Sequence, residues 1–476
     1  MNAHKNSFIV LSSLMCLFLF ASISAQPVEI DNQIVVVTKK NCNPENIWGT
    51  GKATVRDSIK GCNTFLIDIN SDESGVRAYL DTLAKNPSVD YLEPNYQVEL
   101  PENFQMSISF PDEGCPPLVK GTSPPDFFGL PAIYDLGTEM AHELTTGEGI
   151  IVAIIDNGID QNHPLFQQSI MLPGKDFIDM DDDPSDEGGD VYGHGTFVTG
   201  LVLLNAPDCG IVTVRAFNGN GIGSSFSIAR AIRWAANHDA DVINMSFGME
   251  TDSKLVKNAI KFANNKEVAL VAASGNEGLT TRIFPAAYNT VIAVSAIDSL
   301  EHLADFSNYG EYIDVCAPGV NLYSSLAGEY NWGTWSGTSF AAPLVSAACA
   351  LTLSLNEEVT PNRIERHVGL TARRVLSWGE IVPPDSQYGN GCIDIFAAVS
   401  QINEPDIILC GDADGNGVVN MGDVQYIVRY VFKSGSQPSS MSAADVNCDF
   451  HVNEADATFL LNFLLKGGPQ PCCWAR

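Results

Sequence analysis

Basic side chains are scarce in this sequence: 26 Lys plus Arg stand against 57 Asp plus Glu, a formal net charge of −31. Binding to nucleic acid or to an anionic bilayer needs clustered Lys and Arg, so the charge balance argues against both. Charge of either sign is also sparse, at 17% of residues against 45% apolar, which is material for a sizeable core rather than for a disordered chain. Long hydrophobic runs are missing too. The uncharged apolar stretch at 8–20 has thirteen residues, too few to span a bilayer, and no other segment reads as a membrane span. With Lys5 before it and Ala21-Ser22-Ile23-Ser24-Ala25 after it, this stretch reads as a secretory signal over 1–25. The protein is therefore expected to be secreted, extracellular or associated with the cell surface. Of twelve cysteines, eleven follow the signal; export permits disulfides, and the odd number leaves at least one thiol unpaired or paired between molecules.

A length of 476 residues predicts about three domains. Residues 26–100 hold two strand-like runs, 33–37 and 65–69, a helical pattern over 76–85, and the closing segment Val89-Asp90-Tyr91-Leu92-Glu93-Pro94-Asn95. Residues 101–125, with Pro116-Pro117 and Pro124-Pro125, read as a linker. Over 126–402, short continuous apolar runs at 150–155, 211–214, 241–245, 268–272 and 291–294 alternate with helical patterns at 225–237 and 253–264. That alternation predicts an α/β fold with a doubly wound, mostly parallel sheet. Over 408–476, two segments thirty-three residues apart repeat one pattern, each leading into an apolar helix, an internal duplication.

Three blocks in the α/β region carry chemistry. Asp156 ends the first buried run, His194 opens an apolar helix in Gly193-His194-Gly195-Thr196, and Ser339 opens another in Ser336-Gly337-Thr338-Ser339-Phe340-Ala341-Ala342-Pro343. A serine hydroxyl is a poor nucleophile until an imidazole takes its proton, and the imidazole needs a carboxylate to fix its tautomer and stabilise its cation. The free N–H at a helix start can bind the developing oxyanion, and Asn276, in Ala273-Ser274-Gly275-Asn276-Glu277-Gly278 after a buried strand, is the natural second donor. Pro343 is expected to be tolerated as a first-turn residue.

These blocks, in the order Asp, His, Ser, resemble the signatures of the subtilisin-like serine peptidases, over roughly 126–400. Further agreement lies in Val242-Ile243-Asn244-Met245-Ser246-Phe247-Gly248, Phe284-Pro285-Ala286-Ala287-Tyr288 and Ala317-Pro318-Gly319. The resemblance implies Ser339 as nucleophile, His194 as general base and acid, Asp156 as orienting carboxylate and Asn276 as oxyanion donor. It also implies that Ser246, Phe247 and Gly248 pair with extended peptide substrate, with the opposite edge near 219–223. Asn157, Phe197 and Phe340 depart from the family's usual residues without removing a reacting group. The short span between Leu204 and Ile211 leaves no room for the calcium loop of many relatives. Eight of the fifteen residues over 176–190 are acidic with no basic partner among them; a solvated loop is the preferred reading, and a weak Ca²⁺ site over 181–190 the alternative. No carboxylate is expected at pocket walls formed by Ala273, Gly275 and Ile283, so a large apolar residue before the cut bond is expected.

Residues 26–100 resemble the inhibitory propeptide of the same family, so the chain's own N-terminal domain is an expected partner of its active site. The duplicated tail resembles type I dockerins and implies a C-terminal all-α, EF-hand-like calcium module. Its Ca²⁺ ligands would be Asp412, Asp414, Asn416, Val418, Asn420 and Asp423, then Asp445, Asn447, Asp449, His451, Asn453 and Asp456, with the Val418 and His451 carbonyls at the seventh positions. Phe450 stands where the first loop has Gly417. Dockerins bind cohesins, but the positions usual for that contact hold Met421-Gly422 and Glu454-Ala455. A clasp from Cys410 to Cys472 or Cys473 would join the module's ends. The rival readings are a binding scaffold with a lapsed triad and an acid-acting relative using Glu for His.

Overall fold

A computed structural model describes residues 28–39, 52–70, 73–101, 135–328, 331–356, 359–377, 387–402, 410–414, 418–433, 441–447 and 451–466, with isolated positions between them. The expected signal at 1–25 and the linker beyond Pro101 lie outside these residues.

The N-terminal unit runs β1 (Glu29–Thr38), β2 (Ala53–Ile59), β3 (Thr64–Ile69), α1 (Glu73–Ala84) and β4 (Val89–Glu99), with strand order β2-β3-β1-β4. Alternation decides its two faces. Ile34, Val36, Ile67 and Ile69 pack on Tyr79 and Leu83 of α1. Val35 and Leu66 point the other way, into the core of the following domain.

That domain contains α2 (Thr138–Ala141), β5 (Ile151–Asp156), β6 (Ile170–Asp176), α3 (His194–Asn205), β7 (Gly210–Arg215), β8 (Ile222–Ser224), α4 (Ser225–Ala236), β9 (Val242–Met245), α5 (Lys254–Asn264), β10 (Ala269–Ala273), β11 (Ile292–Ile297) and β12 (Val315–Pro318). The hairpin β13 (Leu322–Ser325) and β14 (Trp332–Trp335) follows, then α6 (Thr338–Leu355), α7 (Pro361–Thr371) and α8 (Ile395–Ser400). Seven parallel strands form one sheet in the order β12-β11-β10-β9-β5-β7-β6. Helices α3 and α6 bury one face and α4 and α5 the other, which is why the strands read as unbroken apolar runs. Helix α6 is apolar and long enough to cross a membrane, but 89% of that stretch is buried in the protein, so it is the core helix of the fold.

The five expected strands are present within three residues of their expected ends. Two more were not expected. Strand β6 contains Pro173 and Gly174 and slips register there; β12 is four residues long and ends on Pro318. Both lie at sheet edges, where proline does not cost an inner ladder bond.

Behind β12, Asp314 and Glu365 of α7 form an acidic pair. Burial pushes the Asp314 carboxyl up to about 6 against the pull of the Ala293 N–H; burial, and then the Asp314 charge, pushes Glu365 up to about 8. Both folded values lie above the unfolded ones, so the folded state holds these protons more tightly. Their contribution is most favourable below about pH 4 and is lost as pH rises through 6 and 8. Glu365→Gln is therefore expected to raise the Tm by several degrees at pH 9 and to leave it unchanged at pH 4. An equal shift at both pH values in thermal unfolding would refute this.

Candidate active site

The chain order of the sheet reverses around β5, and functional groups of an open α/β sheet collect at the carboxyl ends of strands beside such a switch. Asp156 is the last residue of β5. Its Oδ1 lies 2.8 Å from Nδ1 of His194, the first residue of α3, and both side chains are fully buried. The approach requires glycine at 195: a Cβ there would lie 2.2 Å from the Gly158 carbonyl oxygen. Asn157 fastens the two segments. Its Oδ1 accepts the Gly195 N–H at 3.0 Å, while its Nδ2 donates to Val191 O at 3.0 Å and to Asp186 Oδ2 at 3.2 Å. Asp186 Oδ2 in turn accepts the Gly193 N–H at 2.7 Å. The departure at Asn157 thus positions the turn before the histidine.

Ser339 is buried in the first turn of α6, beside Asn276 from the turn after β10. Thr338 presents its N–H at 2.9 Å and its hydroxyl at 2.8 Å to Asn276 Oδ1. A backbone N–H can only donate, so the amide oxygen must face Thr338 and the NH₂ must face away from it. Pro343 corrects the expectation drawn above. Helix α6 begins at Thr338, so Pro343 lies in its second turn and cannot donate to the Ser339 carbonyl. Ser246 Oγ fills that vacancy, donating to Ser339 O at 2.7 Å, while Ser339 Oγ donates to Ser246 O at 3.1 Å. The proline therefore ties the serine's backbone to the strand of Ser246, Phe247 and Gly248. Phe247 is buried with its ring 5.1 Å from that of Phe217, leaving backbone as what this segment offers a ligand.

The cleft between Gly248 and β8 already holds a peptide. Strand β4 adds antiparallel to β8, with Gln97, Val98 and Glu99 opposite Ser224, Gly223 and Ile222. On its other side Glu99 exchanges two bonds with Gly248, N to O at 3.4 Å and O to N at 3.1 Å. Val98 and Leu100 are buried. Upstream, Glu93 accepts from Ser253 Oγ and the Lys254 and Leu255 N–H groups at the start of α5. Asn95 Oδ1 accepts the Phe226 N–H at the start of α4. The docking unit thus supplies caps to two helices of the domain it covers. Asp57 pairs with Arg230 of α4 beside them.

The departures at Phe197 and Phe340 are explained together. Their rings meet edge to face at 4.7 Å, and with Trp335 they pack around the His194 ring, whose centroid lies 5.3 Å from that of Phe340 and 5.9 Å from that of Trp335. The acidic stretch is not left without cations. It has a basic partner from outside its own sequence, because buried Arg215 at the end of β7 reaches Asp176 and Asp179 at 2.6 Å and Glu187 at 3.0 Å. Lys175 also pairs with Asp182. The stretch has no cation of its own; the neighbouring strand, distant in sequence, supplies one, while Asp182, Asp179 and Glu187 keep exposed side chains. Arg215→Met is expected to cost about 3 kcal/mol or more, since it strands the buried Asp176 carboxylate. A denaturant midpoint moved by less than about 1 kcal/mol equivalent would show the ion pairs to be dispensable. A carboxylate lies beside one of the expected wall residues: a Cβ on Gly275 would lie 2.8 Å from Glu277 Oε2, which accepts the Asn308 Nδ2 at 2.6 Å.

Comparison with known proteins decides the family. The subtilase family profile matches residues 147–391 and the type I dockerin domain profile residues 410–465. The chain belongs to the subtilase family. It is 34% identical over 341 residues to the thermophilic serine proteinase of Bacillus sp. (strain AK1), covering 68% of this chain and 78% of the relative. It is 30% identical over 395 residues to the thermostable alkaline protease of Halalkalibacterium halodurans, covering 81% of this chain and 96% of the relative. Its fold is similar to that of fervidolysin from Fervidobacterium pennivorans, with a TM-score of 0.66 at 24% identity; the match covers 83% of this chain and 65% of that one. This subtilase is a subtilisin-like serine endopeptidase with a C-terminal type I dockerin domain.

In the dockerin domain, α9 (Met421–Lys433), α10 (Met441–Ala444) and α11 (Glu454–Lys466) enclose a small core around Ile427, Ala444 and Leu460. One carboxylate oxygen from each of Asp412, Asp414 and Asp423 lies within 4.8 Å of the others. The duplication extends to hydrogen bonds. Asp423 accepts the N–H groups of Asn420 and Asp414, at 2.9 and 3.2 Å, and Asp456 those of Asn453 and Asn447, at 2.9 and 3.3 Å. Asn416, Asp449 and the contrast of Phe450 with Gly417 lie outside the described residues. Arg366 of α7 reaches Asp412 at 3.3 Å, a contact between the two domains with no local sequence signal. Cys410 is disulfide-bonded, to a partner outside the described residues.

Proposed function

We propose that this is a secreted endopeptidase that cuts extended peptides through an Asp156–His194–Ser339 triad and is activated by removal of its N-terminal domain. The observation that carries the reading is the buried Asp156–His194 bond at the end of β5, facing the helix start of Ser339, with Asn276 held beside that start by Thr338. Ser339 Oγ adds to the carbonyl carbon while His194 takes its proton; His194 then protonates the leaving nitrogen as the C–N bond breaks, and water hydrolyses the acyl ester by the same route. The Ser339 N–H and the Asn276 amide would hold the oxyanion. Residues 1–25 would be the signal, 26–100 an inhibitory propeptide, 101–125 the maturation region, 126–402 the catalytic domain and 408–476 the docking module. The test is casein digestion together with labelling by a fluorophosphonate. Digestion with a mass adduct on the Ser339 peptide is expected; an inert chain, or an adduct elsewhere, overturns the reading.

The dockerin module suits a hard cation, because three carboxylates converge there and oxygen ligands recur at both loops. Asp412, Asp414, Val418, Asn420 and Asp423 would hold one Ca²⁺ and their counterparts a second, ordering the module for a cohesin-like partner. Calorimetric titration with Ca²⁺ is expected to lose about one bound ion in Asp423→Ala and to show helix gained by circular dichroism in wild type. No heat and no spectral change in wild type would rule the ions out.

A further inference from the structure

The register of β4 in the cleft assigns a role to Pro101. In an antiparallel pair, residues that exchange both hydrogen bonds recur at every second position. Glu99 and Gly248 are such a pair. Continued by two residues, the same edge would set residue 101 against Ser246, with the residue 101 N–H directed to the Ser246 carbonyl and the residue 101 carbonyl left for the oxyanion donors. Residue 101 is proline and has no N–H. The Ser246 carbonyl instead accepts the Ser339 hydroxyl at 3.1 Å. Every preceding main-chain position is well held: Val98 and Leu100 are buried, Leu100 N donates to Gly221 O at 3.0 Å, and Glu99 is bonded to Gly248. The strand is thus anchored through Leu100 and lacks, at residue 101, the N–H that the register would direct to Ser246.

We propose that Pro101 makes the docked N-terminal strand a poor substrate of its own active site, so that the strand occupies the cleft as an inhibitor and is cut slowly after residue 101. The proposal rests on the triad reading above and adds to it a specific brake. Two effects act together. Residue 101, whose carbonyl would be cut, lacks the N–H that would tie it to the Ser246 carbonyl, and that carbonyl accepts the Ser339 hydroxyl at 3.1 Å instead. When the cut occurs it is the same hydrolysis: Ser339 Oγ bonds to the carbonyl carbon of residue 101, the C–N bond to residue 102 breaks, the leaving nitrogen takes the proton through His194, and water releases the acid.

The test refolds the full chain from denaturant and follows by intact mass the fragment that ends at residue 101. Pro101→Ala restores the N–H and is expected to speed its appearance about tenfold, the usual worth of one well-placed hydrogen bond. An equal or slower rate overturns the proposal. Glu93→Ala separates alignment from loosening, since it weakens docking to α5 and keeps the proline. If it speeds the same cut as much as Pro101→Ala, the proline acts only through docking and the proposal falls. Ser339→Ala is expected to give no such fragment. A fragment from that variant would overturn the triad reading and the proposal together, whereas an unchanged rate in Pro101→Ala overturns the proposal alone.

Discussion

Ser339→Ala is expected to lower kcat on a peptide substrate about a millionfold while leaving KM within a few-fold of wild type. The size of the loss follows from what the oxygen does and what it does not do. In the proposed triad it forms the covalent bond, so no residual route through an acyl ester would survive its removal; what would remain is the alignment of substrate by Gly248 and β8 and the oxyanion donors. The hydroxyl contributes little to the fold. It donates one bond, to Ser246 O, and the tie in the other direction, from Ser246 Oγ to the Ser339 carbonyl, is main-chain on the serine's side and persists in the variant. Stability should change by about 1 kcal/mol or less. A variant that keeps more than about a thousandth of the wild-type kcat, with the same fold by circular dichroism, would show that another nucleophile is used.

The sequence makes some of this site readable and hides the rest for physical reasons. Asp156, His194 and Ser339 stand out because each sits at the end of a strand or the start of a helix, where local apolar pattern fixes the element and the polar residue marks its boundary. The fold class follows from the same local signal. What stays hidden depends on contacts distant in sequence. Arg215 is a single cation at the end of an apolar strand, and only the parallel pairing of β6 with β7 shows that it pairs with three of the eight acids in the stretch. Phe197 and Phe340 look like two unrelated departures until α3 and α6 pack and bring the rings together. Pro343 misleads because its register depends on where the helix begins, and helix starts are set by backbone hydrogen bonds that a sequence pattern locates only to within a residue or two. The signal that could have exposed it is Ser246: a buried hydroxyl after a strand needs an acceptor, and a helix proline frees one.

Asp156→Asn is the second large effect, with an expected loss of about ten-thousandfold in kcat at neutral pH. Asp156 Oδ1 accepts from both His194 Nδ1 and the Asn157 N–H, at 2.8 Å each, while Oδ2 is buried without a hydrogen-bond partner. An asparagine must place its NH₂ on one of these sides. With the amide oxygen kept on Asn157 and His194, the NH₂ becomes a buried donor at the Oδ2 position with nothing there to accept it, at a cost of about 1–3 kcal/mol. With the amide turned over, its NH₂ faces Nδ1 and forces the imidazole into the tautomer that carries its proton on Nε2. That ring cannot take the serine proton. In either arrangement the imidazolium formed during attack loses the negative charge that sits fully buried beside it in wild type. The loss should fall on kcat and kcat/KM alike, because the proposed peptide-binding edges, Gly248 and β8, lie apart from Asp156. The fluorophosphonate reaction at Ser339 should slow in the same variant, since it draws on the same proton acceptor. A decrease in kcat of less than about tenfold would mean that the carboxylate does not orient His194 during catalysis, whatever the distance between them.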